Sequence, residues 1–95
     1  MSDQEVIPLL HELRSVTFFT CDVDYYKQKL CHARYCLVYL DMRAELTAET
    51  IRSFLRHPQF RTWAQRKGKV IRVTPGGMHC WHLHETELQL VPWPD

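Results

Sequence analysis

The chain is 95 residues long, 45% apolar and 24% charged, with a formal net charge of +1. A chain of this mass buries about 65% of its unfolded surface, enough for one core without disulfide or metal staples. The composition excludes disorder, collagen-like repeats and coiled coil, and the longest apolar run, Cys36 to Leu40, is far short of a membrane span.

In chain order, Ser2 and Glu5 have the form of a capping box, and Val6, Leu9, Leu10 and Leu13 follow at helical spacing. Pro8 removes a helical hydrogen bond, so the sequence predicts either a kinked helix to about Arg14 or one starting near Pro8. Val16 to Cys21 is β-branched and aromatic and reads as a strand. Asp22 is placed to cap a short helix carrying Val23, Tyr26 and Leu30, with a wide loop as the alternative. Arg34 to Asp41 is apolar on both parities, which is expected of a central strand covered on both faces.

Thr47 reads as an N-cap, with Leu46 and Ile51 as a hydrophobic staple and Ile51, Phe54 and Leu55 as the buried stripe. His57-Pro58 interrupts this helix, and Pro58 opens a second segment with Phe60, Trp63 and Ala64 inward and Gly68 at its end. Lys69 to Val73 is a strand, Thr74-Pro75-Gly76-Gly77 a type II turn, and Met78 to His84 and Glu87 to Val91 are further strands. The sum is one α+β domain over residues 1–95. Its sheet has four to five strands, mixed or mostly antiparallel, packed against two to three helices. The succession of Tyr35 to Asp41, Thr47 to Leu55 and Lys69 to Val73 resembles the strand–helix–strand unit of STAS-like domains. The C-terminal strands depart from that family, and no function is carried over.

The four cysteines, Cys21, Cys31, Cys36 and Cys80, come without a basic, apolar leader at Met1 to Glu5. A reducing cytoplasmic location is therefore expected, with Cys21 and Cys36 as small buried hydrophobes. Charge is unevenly spread. No acid lies between Glu49 and Glu85, a stretch that holds Arg52, Arg56, Arg61, Arg66, Lys67, Lys69 and Arg72. These cations are the candidate binding face for an acidic protein or a nucleic acid. Arg66 and Lys67 also suit the last turn of a helix, where the dipole favours cations.

His79-Cys80-Trp81-His82-Leu83-His84 is the least ordinary segment. Strand alternation puts Trp81 and Leu83 toward the core, and Cys80, His82 and His84 together on the opposite face. A thiolate with two imidazoles is a zinc-type donor set, although the spacing matches no zinc-finger pattern. A solvated sheet face that carries histidines accounts for the same residues. Pro92-Trp93-Pro94 reads as a tail folded over the sheet edge, or as an anchor for a second copy of the chain. Nucleophile elbows, RNP strands and a KH-type GXXG loop are all missing. The favoured expectation is a small interaction module without a cofactor or membrane partner. A zinc protein or a His-dependent hydrolase built on Cys80, His82 and His84 is the alternative, as is a homodimer through Trp93 or an edge strand.

Overall fold

Two apolar parities on one strand need a cover on each side, and the sheet meets that need for its central strands. The computed structural model describes Ile7 and residues 15–94. Strands β1 (Val16–Thr20), β2 (Tyr35–Leu40), β3 (Lys69–Thr74), β4 (Gly77–His82) and β5 (Gln89–Val91) form one sheet in sequence order. β1, β2 and β3 are parallel neighbours, and β4 and β5 join antiparallel, so the sheet is mixed. The α+β expectation holds, with the antiparallel part at the C-terminal end.

On one face Cys36, Val38, Leu40, Ile71, Val73, Met78 and Cys80 meet Phe54 and Phe60 from the segment between β2 and β3. On the other, Leu37, Val70 and Tyr35 meet Tyr25, with Phe18, Trp81 and Ile7 packed around them. β2 is thus central and covered on both sides, as its sequence requires. The remainder of the expected N-terminal helix lies outside the described residues. Between β1 and β2 the chain makes short 3-10 turns at Val23–Tyr25 and Gln28–Leu30. Asp22 does cap the first of them, its carboxylate accepting from the Asp24 N–H at 2.9 Å. Cys21 falls just past β1 and is exposed, contrary to expectation, because the strand ends at Thr20.

The helical layer is α1 (Thr47–Arg56) and the single turn α2 (Trp63–Arg66). Thr47 is the first helical residue rather than the cap. A 3-10 turn at Ala44–Leu46 runs straight into α1, and the Thr47 hydroxyl donates to the Ala44 carbonyl at 2.9 Å. Phe54 is fully buried, Ile51 partly so, while Leu55 sits on the outward side. The second segment starts later than Pro58. Thr62 caps α2 through a capping box with Gln65, which leaves residues 58–61 as a turn. Gly68 ends that segment at φ +77°, a conformation that disfavours any Cβ. In the β3–β4 turn the positive φ, +146°, belongs to Gly77, not Gly76, and a Cβ there would stand 3.1 Å from the Val91 carbonyl oxygen. β4 closes at His82 and β5 begins at Gln89, so both final strands are shorter than their alternation implies.

Candidate cation face, Cys/His row and tail

The alternation of β3 decides what becomes of the basic stretch. Ile71 and Val73 point to the helical layer, so Lys69 shares their side and Arg72 takes the other. Arg72 is accordingly not part of a single basic face with the helical cations. Its guanidinium is bound to the Asp41 carboxylate, Nε lying 2.9 Å from Oδ2 with a second contact from the same group. That hydrogen bond holds the guanidinium above its ordinary ionisation range. Tyr39 and Tyr26 border the pair. Asp41 was not singled out from the sequence, although the parity of Val70, Arg72 and Thr74 already separates Arg72 from Ile71 and Val73.

Two further cations serve the fold. Arg66 spans from α2 to the edge strand, donating from Nε to the Thr17 hydroxyl at 3.0 Å and from a terminal nitrogen to the Phe60 carbonyl at 2.8 Å. Lys69 lies over the Phe60 ring at 5.4 Å. The remaining four, Arg52, Arg56, Arg61 and Lys67, are exposed on the helical layer and its connections. Arg52 and Arg56 line one shallow groove with Glu45 and Glu49, acids at the start of α1 and bases toward its end. This order complements the helix dipole. Neither of the two ion pairs among the described residues, Arg72–Asp41 and His82–Glu85, involves these four cations.

The Cys/His row divides into separate environments. Trp81 does pack inward, against the Tyr35, Leu37 and Val70 cluster. Cys80 nevertheless does not reach solvent, and neither does Met78. β4 lies between β3 and β5, so the side opposite Trp81 is the helical-layer core, where Cys80 is 1% exposed. Burial pushes its thiol up to about 12. His82 is half-buried at the end of β4, with Nδ1 3.3 Å from Glu85 Oε1. His84 is off the strand, exposed and at φ +68°. Among the described residues no group of three or more His, Cys, Asp or Glu side chains is placed to hold a metal ion. Replacing His84 by Gly is expected to raise stability by about 0.5–1 kcal/mol, since only Gly takes that φ without strain. Urea denaturation without added metal checks this. A loss of stability would instead reveal a contact made by the imidazole.

Trp93 folds back as a plug. It packs against the helical-layer core, and its indole N–H donates to the Thr74 carbonyl at 2.8 Å. His57, the one polar side chain in the core among the described residues, fastens the same tail. The backbone N–H of Gln59 donates to its Nδ1 at 3.0 Å, which leaves Nε2 to donate to the Pro92 carbonyl at 2.9 Å. The ring also stands edge-on to Trp93 at 6.0 Å. Sequence reasoning treated His57 only as the residue before a proline. The most exposed large apolar side chain among the described residues is Leu90 of β5, whereas the indole is partly buried.

No helix among the described residues is long and apolar enough to cross a membrane. No protein-family model, curated protein or solved structure matches the chain. The fold and the surface therefore define its class by themselves: a small α+β domain, with a mixed five-stranded sheet and cations on the helical layer.

Proposed function

We propose that this domain is a cytoplasmic interaction module that binds a polyanion, an acidic protein segment or a nucleic-acid strand, through Arg52, Arg56, Arg61 and Lys67. The observation that carries this reading is their exposure on the helical layer, within a stretch of sequence free of acids from Thr50 to His84. The four free cysteines accord with a reducing compartment. Arg66, Lys69 and Arg72, already engaged within the fold, contribute to the field rather than to direct contacts.

Four contacts to a single strand release about three counterions at ~0.7 each, so affinity for an oligothymidine falls roughly fiftyfold between about 50 and about 200 mM salt. Fluorescence anisotropy with labelled oligothymidine and with labelled polyglutamate measures this and ranks the two polyanions. Arg52→Ala with Arg56→Ala is expected to lower the salt slope by about 1.4 while leaving the urea midpoint near that of the parent. Absence of binding to either probe, or binding insensitive to salt, overturns the proposal.

A further inference from the structure

A cleft of about 250 Å³ opens where the start of α1, the β3–β4 turn and the C-terminal tail come together. That is several times the ~30 Å³ share of one water. Its apolar lining residues are Leu46, Pro75 and Trp93, and its polar ones include Glu49 and Ser53. We propose that this cleft binds a primary alkylammonium group, with the carbon stem between Leu46 and Pro75 and the cationic head between Glu49 and the face of Trp93.

Three features converge on that chemistry. First, the indole is held in place before any ligand arrives. Its N–H is committed to the Thr74 carbonyl at 2.8 Å, and the adjacent Pro92 carbonyl is tied to His57 at 2.9 Å. Trp93 lines the cleft, and the face of an indole is the part that attracts cations. Second, Glu49 supplies the negative charge. It is in neither ion pair among the described residues, and it lines the cleft from the first turn of α1. Third, the walls beside it are apolar, and Leu46 is an exposed large hydrophobe that a methylene stem would cover. A carboxylate ligand of the same size would meet Glu49 as a like charge. The other charged groups near Glu49, namely Glu45, Arg52 and Arg56, line the adjoining groove along α1, which shares Glu49 and Ser53 with the cleft. The site adjoins the polyanion surface but differs from it in charge, since it needs an acid where that surface needs bases.

Titration of the full chain, labelled with nitrogen-15, by n-butylammonium tests the site, and a Trp93→Phe variant assigns the indole resonance. The Trp93 indole signal is expected to shift saturably with n-butylammonium and not with butyrate. Glu49→Gln is expected to weaken the binding about fivefold, the upper range for an exposed ion pair. A blocked lysine amide run in parallel separates the two sources of such a group. Binding of both probes supports a free amine, and binding of the lysine amide alone supports a lysine side chain of a partner. Equal shifts with butyrate, unchanged affinity in Glu49→Gln, or no saturable shift with either amine each overturn the proposal. Ser53→Ala provides a second variant. It retains the carboxylate and is expected to keep the preference for n-butylammonium over butyrate.

Discussion

Phe54→Ala is expected to destabilise the domain by about 3–5 kcal/mol, the range for deleting a buried aromatic ring. Total stability for a domain of this kind is about 5–15 kcal/mol, so the variant loses a large share of it. The size of the effect follows from where Phe54 sits. It is the fully buried side chain of α1, stacked on Phe60 with ring centroids 4.8 Å apart and edge-on to Phe19 at 5.9 Å. Phe19 belongs to β1, and Phe60 to the turn that leads to α2. One ring therefore joins the helical layer to the edge of the sheet. Urea denaturation measures the loss, and Phe54→Leu should recover at least half of it because most of the volume remains. A Phe54→Ala penalty below about 1 kcal/mol would mean that α1 contributes little to the core.

The second large effect is alkaline instability. Burial pushes the Cys36 and Cys80 thiols from 9.0 up to about 12, only partly opposed by the nearby Arg66 and Lys69 charges. Below the ordinary thiol value both the folded and the unfolded chains carry these protons, and stability is unaffected. Above it the unfolded chain releases protons that the folded chain retains, so stability falls as pH rises. The slope is about 1.4 kcal/mol per pH unit for each thiol, flattening near pH 12 when the folded thiols ionise too. Each contributes a loss of up to about 4 kcal/mol across that window. Burial raises Tyr26 and Tyr35 as well, which adds to the fall in the same direction. Urea midpoints at about pH 8 and about pH 11 measure the loss. Cys36→Ala with Cys80→Ala is expected to start lower, because two buried side chains are truncated, and then to decline less steeply. An equal slope in this variant would rule out the thiols as the cause. Cys21, exposed, should be the first to react with an alkylating reagent in the folded protein, with Cys36 and Cys80 protected until the core opens.

These thiols show where the chain's local signals held and where they failed. Cys36 was legible as buried because its strand, Tyr35–Leu40, is apolar on both parities. Cys80 was not legible in the same way. Its strand alternates, and alternation states that Trp81 and Cys80 face opposite sides without stating whether the second side is wet. Only the helical layer, carried over that side by the connection between β2 and β3, makes it a core. The same uncertainty shaped the basic stretch. Its charge asymmetry is visible in one dimension, whereas the strand parity of Arg72 and the reach of Arg66 to Thr17 appear once β1 and β3 take their places. Thr47 differs for a local reason: the 3-10 turn at Ala44–Leu46 advances the start of α1 and makes Thr47 a donor.

Periodicity and glycine placement were sufficient for the α+β class, for the location of the five strands though not their ends, and for the helix stop at Gly68, because these signals lie between residues close along the chain. The pinned tail, the Asp41–Arg72 pair and the cleft beside Glu49 join residues as far apart in sequence as Leu46 and Trp93. Such pairings depend on sheet order and on which face each strand turns inward, and both are settled by burial of the whole apolar surface at once.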